Sequence, residues 1–381
     1  MKTIGINGNE ANVPHRVGVG QYAYELIKHL SLLDAPDLRF TVYLAGEPMA
    51  DMPEPSDRWE YRIFGPQRLW TLTGLQGRIL AEKFEGEAPD VFFTPSHYAP
   101  LVLPMPSVVS VMDSSYEAYP QFFKKKDLYQ LRYWTKISVM AAKKILTISE
   151  FSKEEILRHY HLKPENVVVT YPGYDRERFN GGVKNQRSRI RETGKKYKIA
   201  GDYLLYLGTL QPKKNIRRLV EAFFNLESKN LKLIIAGMIN EGRGGWMYQE
   251  IFDKVKELNL ENRVIFTGYV PDKDVPYLLA GARAYVLPSI YEGFGIPAVE
   301  ALATGVPTVV SKVASLPEIC GEAAVYIEEP AKTDSIVAAL RQILEMKVAE
   351  MEKRTAFGLE WVKRYNWEDT AKTTLKVLQN V

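Results

Sequence analysis

A chain of 381 residues exceeds what one ordinary core requires, and at roughly 150 residues per domain it divides most simply into two. With 46% hydrophobic and 25% charged residues it has a globular balance, and a net charge of +4 without an aromatic-interleaved basic face argues against nucleic acid as a partner. The single cysteine, Cys320, read as a small buried residue, excludes an internal disulfide framework, and five scattered histidines suggest no metal-ligand cluster.

From the start, "MKTIGINGNE" lacks the apolar core of a signal peptide, and no stretch approaches the roughly 18 to 20 apolar residues that cross a bilayer, so a cytoplasmic protein is expected. "KTIGIN" reads as a strand, followed by the loop "GNEANVPHRVGVG" and the helical "QYAYELIKHLSLL". "FTVYLA", "DVFFTP", "SVVSVM", "KILTIS" and "NVVVTY" continue the series of short β-branched runs, with helical stretches such as "KKKDLYQLRYWTKISVMAA" among them. This alternation predicts βα units around a parallel sheet, in a domain spanning residues 1–180. The turn-rich "YPGYDRERFNGG" then reads as a linker.

A second series, residues 181–365, repeats the grammar with "YLLYLGT", "LKLIIAG", "RVIFTG", "AYVLPS" and "PTVVS". Residues 366–381 follow as a closing amphipathic helix, with Trp367, Ala371, Thr374, Leu375 and Leu378 at helical spacing. Two parallel α/β domains leave ligand loops at the carboxyl ends of their strands. The basic run Lys184 to Lys198 reads as a solvated linker and helix face or as contact with an anionic partner. "DKD", Asp272 to Asp274, opens an amphipathic helix and reads as a helix cap rather than a metal site.

The segment with most chemistry is "PSIYEGFGIPAVEALATGVPTVV", Pro288 to Val310. Glu292 and Glu300 flank a turn in which Gly293 and Gly295 let the backbone approach another molecule, and Pro297 suits a first helical position. The N–H groups of that helix start form a candidate anion or hydroxyl site. Taken alone, the two acids also fit the simpler role of charges at a helix N-terminus.

The segment resembles the E-x7-E signature of the retaining glycosyltransferases of family 4, which have the GT-B fold. "RVGVGQYAYEL", "TISEFSKEEI", "YPGYDRERF", "YLGTLQPKKN", "RVIFTGYV" and "YNWEDTAKTTL" extend the likeness, in the family's order, over nearly the whole chain. The resemblance implies two Rossmann-like domains facing across a cleft, the first for acceptor and the second for a nucleotide-sugar donor. It assigns Glu300 to the donor ribose, Glu292 to the transferred sugar, and the backbone of Gly293, Phe294, Gly295, Ile296 and Pro297 to sugar and diphosphate. Lys214 matches the family's phosphate-binding lysine, and Gly18 and Gly20 its glycine loop. Gly268, Tyr269 and Val270 would face the base. Asp113 joins Glu292 and Lys214 as a catalytic assignment.

Two departures stand out. Thr209 occupies a position where the family often has arginine, so Lys213 compensates or Thr209 gives only a neutral hydrogen bond. Met112 precedes Asp113 where many relatives have histidine, and methionine cannot take a proton. Three readings remain: the position serves sugar contact alone, His15 or His97 substitutes, or catalysis is impaired.

The expectation is transfer of a hexose, mannose favoured, from a nucleotide diphosphate sugar to a hydroxyl of a glycan or lipid-linked acceptor, with retention and without a cofactor or metal. GDP-mannose leads among donors and UDP-glucose or another UDP-sugar follows. A noncatalytic sugar-nucleotide-binding protein is the rival from another class. "FFKKKDLYQLRYW", Phe122 to Trp134, either packs its aromatics inward or gives a weak peripheral membrane contact at the inner face.

Overall fold

The computed structural model describes residues 1–65, 69–228, 230–237 and 248–381. The chain divides into two compact units, one formed by Met1–Gly173 with Asn366–Val381 and the other by Tyr174–Tyr365.

The first unit runs β1 (Lys2–Asn7), α1 (Val19–Leu32), β2 (Leu38–Leu44), β3 (Trp59–Ile63), α2 (Gln76–Glu85), β4 (Val91–Thr94) and β5 (Ser107–Ser110). It continues through α3 (Ser115–Ala118), α4 (Lys125–Ala141), β6 (Lys144–Thr147), α5 (Glu150–Tyr160) and β7 (Val167–Val169). Its seven strands lie in the order β3-β2-β1-β4-β5-β6-β7, each neighbour parallel. The order reverses at β1 and β4, which marks the crevice where such sheets take ligands. Ile4, Ile6, Val42, Phe92, Phe93, Val108 and Val109 are fully buried, as strands covered on both faces demand.

The second unit runs α6 (Arg187–Lys196), β8 (Tyr203–Leu207), α7 (Ile216–Asn225), β9 (Lys232–Ala236), α8 (Gln249–Glu257), β10 (Val264–Gly268) and α9 (Val275–Gly281). β11 (Ala284–Leu287), α10 (Ile296–Ala303), β12 (Thr308–Ser311), α11 (Leu316–Cys320), β13 (Val325–Ile327), α12 (Thr333–Leu344) and α13 (Val348–Trp361) complete it. The strand order is β10-β9-β8-β11-β12-β13, again parallel, with its reversal at β8 and β11. One close approach fixes that region: a Cβ on Gly237 would lie 1.9 Å from the Gly208 carbonyl, and Gly237 has φ +152°. Only glycine fits there.

The last helix, α14 (Trp367–Gln379), returns to the first unit. Trp367 lies edge-on to Tyr22 and stacks with His29 of α1, and Lys2 donates to the carbonyls of Leu378 and Gln379 at 3.1 and 3.0 Å. Asn366 caps the helix by accepting from the Asp369 N–H at 2.7 Å.

The parallel α/β class expected from sequence holds, with two strands added. β3, "WEYRI", is an edge strand whose alternating charges conceal it, and β13 is only three residues long. The basic run is largely exposed, as a solvated helix face is, and three of its cations also make contacts within the second unit. Arg189 donates to the Tyr277 hydroxyl at 2.7 Å, Lys196 pairs with Asp274 at 2.5 Å, and Lys184 donates to the Gly305 carbonyl.

Candidate active site

β8 and β11 are neighbours at the reversal point of the second sheet, so the loops leaving their carboxyl ends must meet. The β8 loop holds Thr209, Lys213 and Lys214, and the β11 loop holds Ser289 and Glu292. Asn215, at φ 60°, joins them: its Nδ2 donates to the carbonyls of Pro288 at 3.1 Å and Pro330 at 2.7 Å. The Ile290 N–H donates to the Lys213 carbonyl at 2.8 Å, a second tie between the loops.

These ties place Lys214 against Glu292. Glu292 is 6% exposed, and its Oε1 accepts from Lys214 Nζ at 2.5 Å and from Ser289 Oγ at 2.7 Å. Ser315 Oγ holds the Glu292 carbonyl at 2.9 Å. A buried carboxylate is costly without partners, and here a cation and a hydroxyl both supply them. Two phenols lie in its field. Tyr206 and Tyr285 are fully buried, and burial above all pushes both phenols well above their usual range; Glu292 adds to this at Tyr206, and Tyr206 and then Glu292 add to it at Tyr285. Tyr285 also feels Glu300, so both glutamates act on one phenol.

Gly295, at φ 93°, is the N-cap of α10, and a Cβ there would meet Leu316 at 2.9 Å. Ile296 rather than Pro297 is the first helical residue, with Pro297 one place later. Glu300 is half-buried one turn into α10, and its carbonyl accepts from Thr304. Gly293 is buried in the turn, while the buried Phe294 ring packs edge-on against Tyr365. Phe294 therefore offers only backbone to a ligand. Thr209 is half-buried, with its carbonyl accepting from the Tyr206 hydroxyl at 2.9 Å.

At the end of β10, Gly268 has φ 67° and its carbonyl accepts from the Gly237 N–H at 2.9 Å. Tyr269 is 44% exposed beside it and Val270 is buried. In the first unit, Gly18 is the N-cap of α1 at φ 53°, and Gly20 sits in the first turn against the Glu10 carbonyl. Asp113 follows β5, and its Oδ1 accepts from the Ser115 N–H at 2.9 Å. Met112 beside it is buried. His97, beyond β4 on the strand next to β5, stands edge-on to Tyr116 at 6.2 Å, whereas His15 is exposed.

One expectation changes. Asp274 occupies the N-cap of α9 but makes no side-chain cap bond; its Oδ2 accepts from Lys196 and from the Tyr197 hydroxyl at 2.8 Å. Burial opposes its charge, yet these bonds hold its carboxyl below the usual range. Asp272 faces Arg178 at 3.4 Å. Cys320 is fully buried, which pushes its thiol up to about 12. Sequence reasoning missed Ser289 and Asn215. Ser289 stands three residues before Glu292, a spacing that could have signalled it.

Residues 189–359 match the family described as Glycosyl transferases group 1, and residues 17–178 match Glycosyltransferase Family 4. The O-antigen chain mannosyltransferase B of Escherichia coli is 30% identical over 372 residues, covering 94% of each chain. The O-antigen chain mannosyltransferase RfbU of Salmonella typhimurium is 28% identical over 253 residues, covering 66% of this chain and 64% of its own. Among solved structures, sucrose-phosphate synthase from Thermosynechococcus elongatus superposes with TM-score 0.77 at 18% identity, over 100% of this chain and 99% of its own. Anabaena HepE, in complex with UDP and glucose, does so with TM-score 0.76 at 18% identity, over 100% of both.

Proposed function

The chain belongs to glycosyltransferase family 4, and we propose that it moves a hexose, mannose favoured, from a nucleotide diphosphate sugar to an acceptor hydroxyl with retention of anomeric configuration. The observation that carries this reading is the pairing of Lys214 with the buried Glu292 beside the start of α10, at the reversal point of a parallel sheet. A sugar phosphate bond that breaks leaves growing negative charge on the diphosphate, and fixed cations and N–H groups stabilise it. Lys214 is the cation in this account and Glu292 its positioner. Glu292 also stabilises positive character at the anomeric carbon.

In the proposed step, the acceptor oxygen bonds to the anomeric carbon on the face from which the phosphate oxygen leaves. The bond to that phosphate oxygen breaks with its electron pair, and the phosphate takes the acceptor proton. Glu300 accepts from the ribose hydroxyls, the turn Gly293 to Pro297 meets sugar and diphosphate with N–H donors from Gly293 to Ile296, since proline has none, and Thr209 and Lys213 complete the diphosphate contacts. Gly268 to Val270 meet the base. In the first unit, Gly18 and Gly20 offer the start of α1 to phosphate oxygens, and Asp113 orients the sugar. No metal enters the step, so transfer should persist in a chelator.

The name of the Escherichia coli relative favours mannose, and hence GDP-mannose, while the HepE complex with UDP and glucose supports a UDP-sugar as the second reading. The acceptor is a glycan or lipid-linked glycan. A noncatalytic binder remains the alternative because Met112 stands where many relatives have histidine. A panel of nucleotides and nucleotide sugars, read by thermal shift, tests the donor. GDP and GDP-mannose should stabilise the protein most; stabilisation by UDP compounds alone would replace mannose with the second reading. Stabilisation without turnover of any donor would favour the binder.

A further inference from the structure

Arg16 lies where three elements of the first unit meet. It stands in the connection from β1 to α1, two positions before Gly18. Its side chain is 9% exposed, and protein groups engage it: Nε donates to the Ala11 carbonyl at 2.5 Å, Nη2 to Asp51 Oδ1 at 2.8 Å, and Nη1 to Asp51 Oδ2. The guanidinium also lies over the Tyr24 ring of α1, 3.8 Å from its centroid, and the Tyr24 hydroxyl donates to the Asp51 carbonyl at 3.2 Å. One side chain thus joins the loop after β1, the loop after β2 and helix α1.

Two asparagines stitch the same loops. β1 and β2 are parallel neighbours, so the connections leaving their carboxyl ends lie side by side. Asn9 Oδ1 accepts from the Ala45 N–H at 3.2 Å, Asn12 Oδ1 accepts from the Met49 N–H at 2.7 Å, and Asn12 Nδ2 donates to the Glu47 carbonyl at 2.8 Å. These bonds satisfy loop backbone that lies beyond the sheet ladder. Arg16 extends the seam to the helix start. There Gly18, at φ 53°, is the N-cap of α1 without a side-chain cap bond, and a Cβ on it would meet nothing within 4 Å among the described residues. No cap side chain fixes this helix start, and Arg16 supplies a constraint from two residues away.

We propose that Arg16 is a positioning residue for sugar transfer: anchored on Asp51 and Tyr24, it holds Gly18 to Gly20 at the start of α1 in the geometry that meets the leaving diphosphate. This rests on the proposed reaction and adds to it a residue that touches no reacting atom. Both the fork of the guanidinium and its flat face are used, so lysine is no substitute. Hydrogen bonds from Arg16 hold the Asp51 carboxyl below its usual range, so the pair stays charged through neutral pH. The Asp51 side chain is 52% exposed, and an ion pair so open to water adds little to global stability. Its effect lies in local order.

The test joins steady-state kinetics to hydrogen exchange on the full chain. A displacement of about 1 Å away from the chemistry costs roughly a hundredfold, so Arg16→Gln and Asp51→Ala should each lower kcat by about that factor. GDP affinity, assigned to the second unit, should stay at the wild-type value. The double variant should be no slower than the slower single one, because the two residues act as a unit. Arg16→Lys should recover little. Amides of residues 8–22 should exchange faster in both single variants, while their melting curves stay close to the wild type, and Arg39→Gln on β2 serves as a folded control. Wild-type kcat in a folded Arg16→Gln or Asp51→Ala variant, multiplied losses in the double variant, or unchanged exchange at the loop amides would overturn the inference. So would weaker GDP binding by Arg16→Gln beside full activity of Asp51→Ala, which would make Arg16 a direct phosphate contact. A wild type that turns over no donor would instead strike the transfer reaction itself, and this inference with it.

Discussion

Lys214 and Glu292 form a nearly buried pair, with side chains 17% and 8% exposed, and this makes their separate removal unequal. Lys214→Ala leaves the Glu292 carboxylate with Ser289 as its one remaining side-chain hydrogen-bond donor among the described residues. Breaking a buried pair in this way costs about 3 to 5 kcal/mol. At roughly 2 to 4 °C per kcal/mol for domains of this size, the melting temperature should fall by roughly 6 to 20 °C. Glu292→Gln keeps an acceptor for Ser289, and Lys214, being more exposed, can turn toward water; its cost should be nearer about 1 to 2 kcal/mol. The double variant should recover part of the loss, with a coupling of about 0.5 to 3 kcal/mol. The same lysine should matter in turnover. Its loss should slow transfer by a factor of roughly a hundred to a thousand, measured below the melting range of the variant. Lys213→Ala, which leaves the pair intact, should have a much smaller effect. The assay is a thermal double-mutant cycle joined to nucleotide release. Additive stabilities within about 0.5 kcal/mol would mean that Lys214 and Glu292 are not coupled, and full turnover without Lys214 would mean that it does not stabilise the leaving group.

Three further outcomes follow from other parts of the fold. Glu300→Gln should weaken nucleoside diphosphate binding by roughly tenfold, about 1.4 kcal/mol, with little change in melting temperature; calorimetry showing unchanged affinity for both UDP and GDP would remove the ribose assignment. Asp274 has a carboxyl held below its ordinary range, so its contribution is present above about pH 3.9 and lost as pH falls through the lower folded value. Asp274→Asn should therefore melt lower than the wild type at pH 7, with the gap closing in acid, and a gap independent of pH would contradict this. Gly237→Ala, facing the Gly208 carbonyl at 1.9 Å, should cost more than about 3 kcal/mol, and a melting curve like the wild type would show that the two loops separate easily.

The sequence made the sheets legible because buried parallel strands are short apolar runs, as in "TIGIN", "YLLYL" and "TVVS", separated by helices of a different period. β3 escaped because Glu60 and Arg62 interrupt its apolar residues at a sheet edge, and β13 because three residues give no period. Periodicity revealed α4 but not its rotation, since neighbouring Tyr133 and Trp134 are chemically alike and only packing against Tyr98 sends the second one inward. The Lys214–Glu292 contact was also hidden. The partners lie 78 positions apart, and only the adjacency of β8 and β11 brings them together. Asp274 shows the converse: its position signalled a helix cap, while Lys196 and Tyr197, distant in sequence, draw its carboxylate away.

Proton NMR of a reaction containing GDP-mannose and a mixture of mannose-terminated glycosides decides whether sugar is transferred with retention. The predicted result is release of GDP together with an α-anomeric product from the α-linked donor, formed roughly a hundred to a thousand times more slowly when Lys214→Ala replaces the wild type. A β-anomeric product would contradict retention, and nucleotide binding without turnover of GDP-mannose or any UDP-sugar would contradict transfer itself.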